Sequence, residues 1–122
     1  MKNLILVIEL RKGYTQALLI NKKGQAVGSA RQEITESVSP EGWKSYDPLE
    51  ITYSVRSAIH QAVQLKKSYL KSIKAISIVN ELIGCIVWDK ETGLPIYQAI
   101  SEDCRRTQDS CRMLRKSMFY LL

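Results

Sequence analysis

Few side chains in this sequence have the types and spacing that catalysis needs. The one histidine, His60, falls inside a helical pattern with no Ser or Cys at a recognisable nucleophile–base spacing. Glu102 and Asp103 are adjacent, and adjacent side chains diverge on a loop or helix start, so they suit acid and base work poorly. Negative charge at a helix amino terminus is a sufficient structural reason for them. Cys85, Cys104 and Cys111 have neither a second ligand pair nor a nearby histidine to complete a metal site, so no metal is expected. Cys104 and Cys111, seven residues apart, read as core packing on one helix face. Arg11 and Lys12 follow an apolar run and could meet a phosphate by charge. Point charges on long stems, however, do not replace a shaped cradle of backbone N–H groups.

The elements that must position these residues are legible from hydrophobic periodicity. Residues 3–10 and 15–21 are apolar runs of the kind that form strands buried on both faces, with a turn at Lys12-Gly13 between them. Lys22 to Gly24 is a hairpin signal, and 25–33 continues as a weaker strand, giving a three-stranded antiparallel meander. Ser39 to Gly42 breaks the pattern before a loop that carries Trp43 and Tyr46. Asp47 then reads as a helix N-cap, with Pro48 at the first helical position and Glu50 placed to reach back to the cap amide. Ile51, Val55, Ala58, Ile59, Ala62 and Val63 recur at spacings of three and four, the stripe of a helix lying on a sheet. The helix should fade in Lys66-Lys67-Ser68, cations suited to its carboxyl end. Residues 73–79 read as a fourth buried strand and 85–88 as a short fifth. Asp89 to Gly93 is a turn returning the chain to a partner strand at 96–100. From Cys104 to about Leu121 the pattern is helical.

Size and charge bound the function. A chain of 122 residues with 45% hydrophobic content can build one modest core, so a single domain over 1–122 is expected. The formal charge of +6 favours anions without naming one. Lys and Arg are dispersed as KK, RK and RR pairs without aromatic interleaving, so a solvated basic surface is preferred to a nucleic-acid site. The opening MKNLILVIELRKG is too short for a membrane span and lacks a cleavage site, and no apolar run approaches the roughly 18 residues that a bilayer requires. The expectation is a cytoplasmic protein with reduced thiols and no membrane partner.

Two stretches carry a resemblance. Gly42 to Ile51 (GWKSYDPLEI) and Ile86 to Thr107 (IVWDKETGLPIYQAISEDCRRT) together resemble the amino-terminal part of glycerol kinases, members of the FGGY carbohydrate kinases. The resemblance covers nearly the whole of this chain but only about a quarter of such a kinase. It implies an α/β fold: a partial ribonuclease-H-like, actin-like ATPase domain. A three-stranded meander and a helix lead into a parallel fourth strand by a right-handed connection, followed by a short hairpin and a C-terminal helix. It also implies that Trp43, Tyr46, Trp88 and Tyr97 are scaffold aromatics that pack in the core or loops.

The same resemblance assigns the site positions and the losses at them. Glycerol kinases end their first strand in Asp-x-Gly-Thr-Thr, whose small residues let backbone approach phosphate. This chain has Glu9-Leu10-Arg11-Lys12-Gly13-Tyr14-Thr15, so the degenerate phosphate-loop positions are Glu9, Arg11, Lys12 and Thr15. Asn-Gln-Arg-Glu-Thr, whose Arg and Glu hold polyol hydroxyls in the family, is here Asn80-Glu81-Leu82-Ile83-Gly84. The family's substrate-facing Trp is replaced by Glu102. The substrate-matching positions are therefore Asn80, Leu82, Ile83 and Glu102, with Leu82 and Ile83 apolar where hydrogen bonds are needed. Glu81 reads as a solvated charge.

The resulting expectation is a non-catalytic, glycerol-kinase-like fragment, without cofactor, that binds a protein partner or a second copy of itself through an open sheet edge. The alternative is one subunit of a split carbohydrate kinase, completed by a separate chain and phosphorylating glycerol or another polyol with ATP.

Overall fold

The computed structural model describes residues 3–65, 68–81 and 84–118. Strict alternation builds its main sheet. In β1 (Leu4–Arg11), Leu4, Leu6 and Ile8 are buried, and in β2 (Tyr14–Asn21), Thr15, Ala17 and Leu19 are buried, so one face of each strand enters the core. The two strands pair antiparallel through a tight turn at Lys12-Gly13, where Gly13 has φ of +82°, a conformation that a side chain would strain. β3 (Ala26–Glu33) adds antiparallel to β2, completing the expected meander.

α1 (Pro48–Gln64) lies across β2 and β3. Asp47 caps it, its carboxylate accepting from the Leu49 amide at 2.8 Å, with Pro48 in the first turn as expected. Glu50 does not reach back to the cap. It accepts instead from the Thr35 amide at 3.1 Å and the Thr35 hydroxyl at 3.0 Å, because the chain leaving β3 passes beside the helix start. Ile51, Ser54, Ala58 and Ala62 form the buried stripe, and Ala58 and Ala62 pack with Leu4, Leu6, Ile8, Ala17 and Leu19 in one core. The helix ends before Lys66 and Lys67, which lie outside the described residues. A short α2 (Ser68–Ser72) follows.

β6 (Ile73–Asn80) returns parallel to β1, giving the order β3-β2-β1-β6. The strand is where the sequence places it, but it is not buried. Ile76 and Ile78 are 63% and 66% exposed. α1 covers β2 and β3 and leaves this edge bare.

A second sheet was not legible. β4 (Glu36–Val38), β5 (Lys44–Tyr46) and β7 (Ala99–Ile100) pair antiparallel in the order β4-β5-β7. The segment 43–46, expected as loop, therefore includes a strand. The turn at Asp89 to Gly93 forms, with the Asp89 carboxylate accepting from the Thr92 amide at 2.7 Å. Its flanks, however, are joined by a single bridge, Trp88 to Pro95, and β7 pairs with β5 instead of with 85–88. Trp88 and Tyr97 are exposed, not packed. A small core of Ile34, Tyr46, Ile51 and Ala99 joins this sheet to Leu10 of the first. α3 (Gln108–Met118) begins four residues after Cys104, so Cys104 and Cys111 do not share a helix face. Leu121 and Leu122 lie outside the described residues.

Candidate functional site

Because β1 and β6 run parallel, their carboxyl ends finish side by side, with Leu10 paired to Asn80 and the Glu81 amide donating to the Leu10 carbonyl at 2.9 Å. This register gathers Glu9, Arg11 and Glu81. Arg11 Nε donates to Glu9 Oε2 at 3.2 Å and Arg11 Nη1 to Glu81 Oε2 at 2.8 Å. The hydrogen bond that Arg11 donates to Glu9, and then the charge of Glu81, raise the Arg11 pKa. Glu81 is thus an ion-pair partner and not merely a solvated charge. Lys12 pairs with Asp103, which holds the lysine pKa up and the Asp103 carboxyl below its usual range. Asp103 serves this pair across the turn; it lies five residues before α3 and does not cap it.

Thr15 does not belong to this cluster. It points into the core beneath α1, fully buried, with its Oγ1 2.7 Å from Ser54 Oγ. The period-two alternation of β2 dictates this placement, since Thr15, Ala17 and Leu19 share a face. Asn80 and Glu102, 22 positions apart in sequence, converge on one cavity behind the ion pairs. Leu82 and Ile83 lie outside the described residues.

That cavity measures about 110 Å³ and is bounded by Leu10, Lys12, Tyr46, Ile51, Ala99 and Ser101 beside those two residues. Tyr46 is 4% exposed, and its hydroxyl makes no close hydrogen bond among the described residues. Ser101 and Glu36 sit near it but bond each other, Ser101 Oγ donating to Glu36 Oε1 at 2.6 Å. That bond, with the Lys44 charge, lowers the Glu36 pKa against the opposing effect of burial. Burial, and then the Glu36 charge, push the Tyr46 phenol up, so it remains a protonated donor. Sequence reasoning treated Tyr46 as loop packing, and only its place one residue before the Asp47 cap set it apart in the sequence.

The Cys104-Arg105-Arg106-Thr107 segment acts as a clasp. Cys104 Sγ accepts from Arg106 Nε at 3.0 Å and from the Lys44 amide at 3.4 Å. Arg106 also donates to the Lys44 carbonyl at 3.2 Å and covers the Trp43 ring at 4.9 Å. Burial pushes the Cys104 thiol up, but the bonds from Arg106 and Lys44 outweigh it and leave the thiol below its ordinary value. Among the described residues, no cluster of His, Cys, Asp and Glu could hold a metal ion, and no helix is long and apolar enough to cross a membrane.

Residues 4–120 match the FGGY family of carbohydrate kinases, N-terminal domain. The chain belongs to this family. It is 35% identical over 116 residues to a glycerol kinase of Francisella philomiragia and 37% identical over 115 residues to one of Leptospira biflexa. In both comparisons it spans about a quarter of the relative, 23% of its length. Its fold matches part of a Plasmodium falciparum glycerol kinase solved with ADP, at a TM-score of 0.80 and 22% identity, over 93% of this chain and 23% of that one. A gluconate kinase from Lactobacillus acidophilus matches at 0.86 and 18% identity, over 98% of this chain and 23% of that one. The fold is thus that of the actin-like ATPase sugar kinases. Within that fold of meander, helix and parallel strand, the end of β1 carries the paired side chains of Arg11 and Lys12.

Proposed function

We propose that this FGGY-type chain is a non-catalytic, glycerol-kinase-like module whose role is to associate with a second copy of itself through the edge of β6. The observation that carries the reading is the edge strand itself: eight residues, paired on one side only among the described residues, with Ile76, Ile78 and Val79 exposed. Such an edge is a template for strand pairing. Two copies of β6 related by a two-fold axis at Ser77 would set Ile76 of each against Ile78 of the other. Lys74, the strand's one charge, would then face Asn80 and not another lysine.

The absence of catalysis rests on the β1 end. Phosphoryl transfer works by positioning and charge stabilisation, and here the one retained carboxylate, Glu9, is bonded by Arg11. The competing reading, a split polyol kinase that binds ATP, draws on the identity to glycerol kinases, one related structure having been solved with ADP. Light scattering over a dilution series, with and without ATP, magnesium and glycerol, separates the two. A dimer indifferent to the ligands is expected; a monomer that responds to ATP would favour the split kinase.

A further inference from the structure

Basic residues that are dispersed in the sequence meet at one place in the fold. Arg105, just before α3, and Arg112 and Arg115, on the helix itself, line one open groove of about 430 Å³ with Thr107, Gln108 and Cys111. Among the described residues no carboxylate lines it. The counter-charges nearby are slight. Arg112 pairs with Asp109 at 3.3 Å, an exposed contact that water screens, and Asp103, whose carboxylate feels the Arg105 charge, is held by Lys12. Arg115 has no ion pair among the described residues. Arg112 and Arg115 are three positions apart on the helix, where like charges repel. Thr107 and Gln108, which open α3 and line the same groove, add the partial positive charge of a helix amino end.

We propose that this groove binds a phosphate group through the guanidinium groups of Arg105, Arg112 and Arg115, with the Thr107 hydroxyl and the Gln108 amide as uncharged donors. A dianion relieves the mutual repulsion of the three cations, and planar guanidinium forks match the paired oxygens of phosphate. The groove falls within the range of small-molecule sites, roughly 300–1,000 Å³, so it has room for the organic part of a phosphate monoester as well as for free phosphate. It shares no lining residue with the cavity at the ends of β1 and β6, and none with the β6 edge. No bond is made or broken in it.

Inorganic phosphate and ribose 5-phosphate, with ribose as the uncharged control, are titrated into the whole chain at about pH 8, where the phosphate group is a dianion. Chloride keeps the ionic strength constant, and the backbone NMR signals of residues 107–112 are followed. The expected result is saturable shifts with both phosphates and none with ribose. Arg105→Gln and Arg115→Gln should each weaken binding about tenfold. Lys90→Gln makes the same change of charge outside the groove, on the turn at Asp89 to Gly93, and should leave binding unchanged. All three residues are exposed, so the variants should fold like the parent. Tighter binding of ribose 5-phosphate would assign the groove to a monoester, and equal binding to free phosphate. Shifts that chloride alone reproduces, an equal loss of affinity in Lys90→Gln, or no saturation by either phosphate would each overturn the proposal.

Discussion

Arg11 donates to Glu81 at 2.8 Å across 70 positions of sequence, tying the carboxyl ends of two parallel strands together. The same guanidinium holds Glu9, so one cation joins two carboxylates at the end of β1. Both partners are well exposed, with side-chain accessibilities of 35% and 50%, so the pair shapes the site more than it stabilises the fold. Arg11→Ala is expected to leave the urea midpoint close to that of the parent in high salt. A large loss that persists in high salt would contradict this account of the pair.

The buried hydroxyl pair beneath α1 should respond asymmetrically. Ser54 Oγ donates to the Ile51 carbonyl at 2.7 Å, so the proton shared with Thr15 must come from Thr15. Ser54→Ala strands a buried donor and should cost about 1–3 kcal/mol. Thr15→Val leaves Ser54 bonded to Ile51 and should cost less, about 1 kcal/mol. Urea denaturation of both variants and of the double variant checks the order, and the double should cost less than the sum.

Asp47 caps α1 with one side-chain bond to the Leu49 amide. Asp47→Ala should lower stability by about 1 kcal/mol, and Asp47→Asn should restore most of it. Chemical denaturation followed by circular dichroism reads both.

Acid should weaken the junction of the two sheets. The Ser101 hydrogen bond and the Lys44 charge depress the folded-state pKa of Glu36 below the unfolded value despite burial. Its contribution is therefore fully present above the unfolded carboxylate range and is lost as pH falls through the lower folded value. Glu36→Gln should flatten the acid side of a stability profile run from about pH 6 to pH 2. An unchanged slope in that variant would show that Glu36 is not the group responsible.

Signals carried by neighbouring residues were readable before the structure. Asp47-Pro48 marks a helix start by hydrogen-bonding capacity and fixed φ, and the alanines at 58 and 62 mark its buried stripe. The strand signals of 3–10, 15–21 and 73–79 were equally local. What failed depended on contacts between distant segments. β6 has the composition of a core strand, but burial is decided by what lies over it, and α1 lies over β2 and β3. β5 and β7 have three and two residues, too few for any period to emerge. Asn80 and Glu102 were placed in the site through resemblance, whereas the Arg11–Glu81 pair required the β1–β6 register. The burial of Tyr46 beside Glu36 and Ser101 is a property of packing that composition does not encode.

Ile78 is the side chain to probe at the sheet edge, since it is exposed and makes no part of the main core. Ile78→Lys should change the stability of the single chain by no more than about 0.5 kcal/mol while abolishing dimer formation in sedimentation experiments. A variant that still dimerises would move the interface elsewhere.

The most direct test of the central claim is amide hydrogen exchange of Ile73–Asn80 measured across a dilution series. Strand pairing between copies predicts that the β6 amides not bonded to β1 are protected at high protein concentration and exchange freely on dilution, with ATP, magnesium and glycerol making no difference. Exchange in β6 that is independent of concentration, or protection that appears at the β1 end only when ATP is added, would contradict it.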